Sequence, residues 1–196
     1  MKKLLLGLLV LVGANSVMAQ AFRLGIKGGA NFTKIGGESF SNDFNFGYHL
    51  GGFAEIDFNK SIGIQPEVLF NQSNTQTSAN FNNIYIGIGG TASQGEQVRL
   101  DYLSIPVLLR INASKMVTLL VGPQYSILIN HKENLFTNGR EAFKNGDFAL
   151  ATGLQLNLQS FRVYGRYNIG LSNMNDIDNK DRWRNQQLQL GIGIKL

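Results

Sequence analysis

Apolar and polar residues alternate along most of the chain after its first twenty residues. From Phe22 to Thr33 the even positions are apolar or small, and the odd positions are polar or glycine. Alternation with a period of two is typical of a strand that has one apolar and one polar face. The pattern predicts eight strands, over residues 22–33, 44–58, 62–71, 98–111, 117–129, 148–158, 161–171 and 187–196.

The fourth of these segments departs from simple alternation. Its apolar residues occupy even positions up to Tyr102 and odd positions from Leu103 onward. A slip of one residue turns every following side chain to the opposite face of a strand. We therefore expect a β-bulge near Tyr102 and Leu103.

The links between the predicted strands alternate in length. Three links are short, at residues 59–61, 112–116 and 159–160, and four are long and polar, at residues 33–43, 72–97, 130–147 and 172–185. In an up-and-down antiparallel arrangement, alternate links lie at the same end, so short turns share one end and long loops share the other. This is the plan of outer-membrane barrels. The sequence predicts an all-β fold, an eight-stranded antiparallel up-and-down transmembrane β-barrel.

Alternation by itself fits a membrane barrel, with apolar side chains outward, and equally a soluble barrel, with apolar side chains inward. Three features favour the membrane barrel. The polar face is rich in glycine and carries mid-strand charges of both signs, and aromatic residues cluster near the strand ends, as interfacial girdles require. The last strand, Gln187 to Leu196, would also leave an unpaired edge unless it closed on the first strand.

A membrane barrel of this size has a narrow polar interior. The side chains predicted to line it are Arg23, Lys27, His49, Glu55, Asp57, Glu67, Arg162 and Arg166. An interior of eight strands is just wide enough for side chains to fill it. Opposite charges there favour mutual pairing and a plugged lumen, so replacing Arg166 by Ala should destabilise the barrel by leaving a buried carboxylate unpaired.

The first residues have the layout of a cleaved secretory signal. A short basic region, Lys2 and Lys3, precedes an apolar run at residues 4–12 and small residues that end at Ala19. The run is too short to span a bilayer. We expect residues 1–19 to be the signal peptide and residues 20–196 to be the outer-membrane β-barrel domain, with cleavage after Ala21 as the alternative.

Composition narrows the classes of function. The chain has 23 glycines, which give little support to helices, and no cysteine, which excludes disulfides, thiolate metal sites and a lipidated N-terminal cysteine. Loss of Lys2 and Lys3 with the signal would leave a net charge of +3. That charge is too small, and the basic residues are too scattered, to indicate binding to nucleic acid.

Candidate catalytic and metal sites are weak. The two histidines, His49 and His131, have no serine and carboxylate at a recognisable catalytic spacing. The run at residues 175–181 contains three aspartates but lacks the glycine and the distal glutamate of a calcium-binding loop. The segment GIGGTA at residues 87–92 leads into a strand, whereas a dinucleotide fingerprint leads into a helix. We expect no catalytic residue, cofactor or metal.

Several stretches resemble the small outer-membrane β-barrel proteins of the PorT-like family of Bacteroidota. They are FRLGIKGGANFTKI, GYHLGGFAEIDF, IGIQPEVLFNQ, LDYLSIPVLLRI and VGPQYSIL. The resemblance covers the mature chain and implies an eight-stranded barrel with both termini in the periplasm. It implies no single activity, although the family's namesake is associated with a secretion machine. The chain ends at Leu196, whereas such barrels usually end in an aromatic residue that the assembly machinery recognises.

These features predict an integral outer-membrane barrel without catalytic activity, with a structural, accessory or surface-interaction role through long extracellular loops. The expected partners are outer-membrane lipids, the outer-membrane assembly machinery during biogenesis and an envelope protein, with no nucleic acid. The alternatives are a narrow porin-like channel, a lipid-modifying outer-membrane enzyme and a soluble lipocalin-like carrier.

Overall fold

The computed structural model describes residues 22–41, 43–78, 80, 97–131, 146–175 and 183–196. These residues form one closed barrel of eight antiparallel strands in sequence order. The strands are β1 (Phe22–Gly36), β2 (Asn45–Asp57), β3 (Ile62–Gln76), β4 (Gln97–Asn112), β5 (Val117–His131), β6 (Gly146–Leu158), β7 (Phe161–Gly170) and β8 (Arg184–Lys195). The predicted all-β class, strand number and strand order are confirmed.

Pairing between the first and last strands closes the barrel. β1 pairs with β8 from Gly25 opposite Lys195 to Gly36 opposite Arg184. The other edge of β1 pairs with β2 over nearly the same length. Neither β1 nor β8 therefore presents a free edge, as expected for a closed barrel.

Some strands extend beyond their predicted bounds, at the end that carries the long links. β3 was expected to end at residue 71 but continues to Gln76. Its polar extension lacks apolar alternation and is held by β4, with Gln72 opposite Asp101 and Gln76 opposite Gln97. Cross-strand pairing, and not the local apolar pattern, determines strand length here.

Apolar side chains lie outside the barrel and polar side chains lie inside. Ile26, Leu50 and Ile192 on the outer surface are 55%, 63% and 61% exposed, whereas Lys27 and Glu55 are 3% and 0% exposed. This is the polarity of a membrane barrel, with an apolar band facing lipid. A soluble carrier would require the opposite arrangement.

The register of β4 against β5 shifts close to the predicted bulge. Asp101 lies opposite Asn130 and Tyr102 lies opposite Leu128, so the extra residue, Ile129, belongs to β5. The even residues of β4 stay inside the barrel on both sides of the shift, and Tyr102 is buried. The bulge is found, but the reversal of faces expected within β4 is wrong, because the first apolar residues of β4 pack in the interior.

Ladder pairing is interrupted beside the three prolines. Pro66, Pro106 and Pro123 lie in the neighbouring strands β3, β4 and β5. The pairing of β2 with β3 has a gap beside Pro66. The pairing of β3 with β4 has a gap beside Pro106, and the pairing of β4 with β5 has a gap beside Pro123. Because proline has no N–H to donate, these gaps weaken hydrogen bonding across one side of the wall.

Interior glycines allow neighbouring strands to approach closely. A Cβ atom at Gly51 would lie 2.0 Å from the carbonyl oxygen of Val68, and one at Gly29 would lie 2.1 Å from that of Leu190. Such distances are far below van der Waals contact, so only glycine fits without a movement of the backbone. At these positions glycine allows β2 to lie close to β3 and β1 to lie close to β8.

Candidate functional site

In the interior at the short-turn end, three arginines form ion pairs with two carboxylates. Glu55 Oε1 accepts a hydrogen bond from Arg162 Nε at 2.7 Å and lies 2.9 Å from Arg110 Nη1. Glu55 Oε2 accepts hydrogen bonds from Arg23 Nε at 2.8 Å and from Arg162 Nη2 at 3.0 Å. Asp57 accepts a hydrogen bond from Arg110 Nε at 3.2 Å and another from Arg23. We call these five side chains the basal ion cluster.

The strand register explains how the basal ion cluster assembles. Arg23 of β1 lies directly opposite Glu55 of β2, and Asp57 follows two residues later on the same face. Arg110 of β4 and Arg162 of β7 reach the same carboxylates from other parts of the wall. The cluster therefore connects strands that are not neighbours, which backbone pairing alone does not do.

A second cluster, the central ion cluster, surrounds Glu67. Glu67 Oε1 lies 2.8 Å from Lys27 Nζ, and Oε2 lies 3.0 Å from Arg166 Nη1. All three side chains are at most 2% exposed. Arg166 also donates to Gln189 Oε1 at 2.8 and 2.6 Å, and Lys27 Nζ lies 3.7 Å from the ring centroid of Tyr164, a cation–π contact.

Two glutamines join the clusters. Gln65 Nε2 donates to Glu67 Oε1 at 2.7 Å, and Gln65 Oε1 accepts a hydrogen bond from Arg110. Gln155 Nε2 donates to Glu55 Oε1 at 3.1 Å, and Gln155 Oε1 accepts a hydrogen bond from Gln65 Nε2 at 3.4 Å. The charged side chains of the basal and central ion clusters thus form one continuous network.

A layer of uncharged polar side chains, the neutral layer, lies next to the central ion cluster on its long-link side. His49 Nδ1 lies 2.6 Å from Asn31 Oδ1, and His49 Nε2 lies 2.5 Å from the Tyr164 hydroxyl. Gln189 Nε2 donates to Asn31 Oδ1 and to Asn71 Oδ1, each at 3.1 Å. Both ring nitrogens of His49 are therefore hydrogen-bonded to other side chains of the lumen.

An apolar cap lies in the interior at the long-link end. Trp183 and Phe40 are 0% and 2% exposed, and their rings meet edge to face with centroids 4.8 Å apart. Other apolar side chains near the long-link ends of the strands are also buried, and we count them in the cap: Ile35, Val98, Leu100, Tyr102 and Met174. The sequence did not reveal this cap, because Phe40 and Trp183 lie outside the alternating segments and the β4 residues were expected to face outward.

All eight side chains predicted for the lumen face the interior. Seven take part in ion pairs, and His49 belongs to the neutral layer; the seven are Arg23, Lys27, Glu55, Asp57, Glu67, Arg162 and Arg166. The prediction omitted Arg110, although its position between the exposed Leu109 and Ile111 marks it as interior. It also omitted Gln65, because an uncharged polar residue on an alternating face gives no sign that it bridges two ion clusters.

Several predictions fall on other parts of the chain. The secretory signal, the GIGGTA segment, the His131 side chain and the aspartates at residues 176–181 lie outside the described residues. Within the described ranges, no group of three histidine or carboxylate side chains is placed to hold a metal ion. No helix in the same part of the chain is long and apolar enough to cross a membrane.

The sequence matches a protein family described as outer membrane protein beta-barrel domain, over residues 18–176. This range contains β1 to β7 and stops before β8. No curated protein sequence matches the chain.

Solved structures share the fold at low identity. Ail, the attachment invasion locus protein of Yersinia pestis, solved with the heparin analogue sucrose octasulfate, gives a TM-score of 0.54 at 14% identity and covers 90% of this chain and 100% of its own. OprG from Pseudomonas aeruginosa gives 0.52 at 12% identity, with 90% and 96% covered. Neisserial surface protein A gives 0.50 at 14% identity, with 88% and 97% covered. These likenesses support the barrel fold alone.

Proposed function

The chain belongs to the family of outer membrane protein β-barrel domains, and from this premise we propose that it is a closed, non-catalytic barrel that presents its long links to other molecules. The filled interior would stabilise the barrel, and the variable part of its function would reside in the links. A closer relationship to the PorT-like proteins is part of the same proposal, supported by the stretches that resemble them.

The packed lumen is the observation that carries this proposal. The basal and central ion clusters, the neutral layer and the apolar cap follow one another along the interior. Glu55 and Gln189 are 0% exposed, and Glu67 is 2% exposed. A conducting pore needs a continuous water-filled path, whereas these side chains bind one another across the lumen.

We further propose that the short turns face the periplasm and the long links face the outside of the cell. This orientation is supported by the alternation of link lengths, since outer-membrane barrels place short turns in the periplasm. The barrel wall would then contact outer-membrane lipids, the assembly machinery would act during insertion, and an envelope protein would bind the exposed links.

Conductance across a planar bilayer tests the closed lumen. The purified protein, with a known porin as the positive control, should produce no discrete current steps at any applied voltage. Discrete steps that require correctly folded protein would contradict the closed barrel and favour the channel.

Cross-linking of intact cells tests the role of the links. The tagged protein would be isolated in mild detergent beside a variant in which residues 132–145 are replaced by a short Gly-Ser linker. We expect an envelope protein to be recovered with the natural chain and lost with the variant. Equal recovery by both proteins would place the contact elsewhere, and a barrel isolated alone would contradict the surface-interaction role.

A further inference from the structure

A cavity opens into the lumen at the short-turn end of the barrel. Its volume is about 490 Å³, which lies within the usual range for small-molecule sites. Its lining has one carboxylate, that of Asp57, and six cationic side chains: Arg23, Lys60, Arg110, Lys115, Arg162 and Lys195. Side chains of Asn112 and Asn157 add neutral amides to the wall. We call this cavity the basic mouth.

Charge at the basic mouth is strongly unbalanced. Its three arginines share the carboxylates of Asp57 and of Glu55, which lies in the basal ion cluster. In the part of the chain that the structure describes, the three lysines form no ion pair. Six cations against two carboxylates leave an excess of four positive charges around a space that is open to small molecules.

We propose that the basic mouth binds a small molecule or a headgroup that carries two or more phosphate groups. A single phosphate would offset only part of the excess charge, whereas linked phosphates place several negative charges within one cavity. Guanidinium groups match phosphate oxygens with paired N–H donors, and lysine ammonium groups bind them as mobile point charges. The lysines, which have no described partner, are the groups free to reorganise around such a ligand.

The inner side of the cavity is closed, which indicates that a ligand would bind there and would not pass through the barrel. The basal ion cluster lies at the inner side of the basic mouth, with Glu55 bound by three arginines. Farther along the lumen lie the central ion cluster and the apolar cap. A ligand that enters at the short turns would therefore remain at that end.

Calorimetric titration of the full chain in a non-ionic detergent tests this site, with sodium tripolyphosphate as the probe. The test variant combines Lys60→Gln, Lys115→Gln and Lys195→Gln. No described hydrogen bond uses these three side-chain ammonium groups, so the barrel should fold normally, which heat-dependent migration on a gel would verify. A matched control combines Lys34→Gln, Lys132→Gln and Lys144→Gln, which remove the same charge from β1 and the β5–β6 link.

We expect the natural chain and the control to bind tripolyphosphate, and the test variant to bind about tenfold or more weakly. Binding should also weaken as salt is raised, because the charges at the mouth are partly exposed. Absence of binding at millimolar probe would overturn the proposal. Equal loss in the test variant and the control would overturn it too, since it would reflect net charge and not the mouth.

Addition of cardiolipin to the micelles distinguishes two sources of the same chemistry. If the lipid suppresses the tripolyphosphate signal in the natural chain, a bilayer headgroup can occupy the basic mouth. If the signal persists at saturating lipid, the site takes a free phosphorylated molecule. Both results support the site and differ only in what fills it.

Discussion

At the scale of single residues, Glu67 is the carboxylate on which the central ion cluster depends. The sequence pointed to Arg166 as the residue whose loss would leave a carboxylate unpaired. In the structure Lys27 Nζ also lies 2.8 Å from Glu67, so one cation remains when Arg166 is removed. Loss of Glu67 instead leaves two buried cations without their carboxylate, and we expect the larger effect there.

Glu67→Gln should lower the free energy of unfolding by about 3–5 kcal/mol, because it removes the carboxylate that the buried Lys27 and Arg166 share. Urea titration in detergent or lipid vesicles measures this change. The double variant Glu67→Gln with Lys27→Met restores the charge balance and should recover part of the loss. An unchanged unfolding midpoint in the single variant would contradict the structural role of the cluster.

Trp183 provides a second test at this scale, since it is the one tryptophan in the chain. Its side chain is 0% exposed and packs on Phe40. The folded protein should therefore show blue-shifted tryptophan emission with weak acrylamide quenching, and both properties should be lost in denaturant. Strong quenching of the folded protein would mean that the apolar cap is open.

At the scale of strands, the close approach of neighbouring strands depends on glycines that face the interior. Gly51 and Gly52 are adjacent in β2, but Gly51 faces the interior and Gly52 faces outward. A Cβ atom at Gly51 would lie 2.0 Å from the Val68 carbonyl oxygen, whereas one at Gly52 would find its nearest neighbour at 3.6 Å. Replacing either glycine by alanine adds one methyl group, but only the methyl group at position 51 would clash with the neighbouring strand. The two substitutions therefore form a matched pair.

Gly51→Ala should destabilise the barrel by about 1–3 kcal/mol through overpacking against a neighbouring backbone. Gly52→Ala should change the free energy of unfolding far less. Urea unfolding of the two variants side by side gives the comparison. Similar stability in both variants would show that β2 and β3 can separate at this point without cost.

At the scale of the whole molecule, the two ends of the barrel differ in structure and charge. The short-turn end is open and basic, while an apolar cap lies inside the long-link end. A cylinder whose ends differ in this way presents a different surface to each side of the membrane. The proposed direction has the short turns in the periplasm.

Cysteine labelling measures the direction, since the natural chain has no cysteine. Ser61→Cys marks the turn between β2 and β3, and Asn138→Cys marks the link between β5 and β6. On intact cells a membrane-impermeant maleimide should label the second variant alone, and after permeabilisation it should label both. Labelling of Ser61→Cys on intact cells would reverse the orientation.

The alternating pattern of the sequence determined the strand number and divided the residues of most strands between two faces, because side chains alternate strictly between the two faces of a strand. The lengths of the links indicated the antiparallel order, and the glycines and mid-strand charges of one face indicated that this face lies inside. Together these features placed Lys27, Glu55 and Glu67 inside without any knowledge of their partners. Charge of both signs on a face that must be buried was enough to predict pairing.

Only the tertiary structure decided which side chains meet across the lumen. Contacts such as Arg162 with Glu55 join distant strands, and they depend on barrel closure and on the register of every intervening pair. The apolar cap required the same information, because Phe40 and Trp183 lie outside the periodic segments. The basic mouth also appears only when turns far apart in sequence gather at one end, since local alternation carries no record of which turns become neighbours.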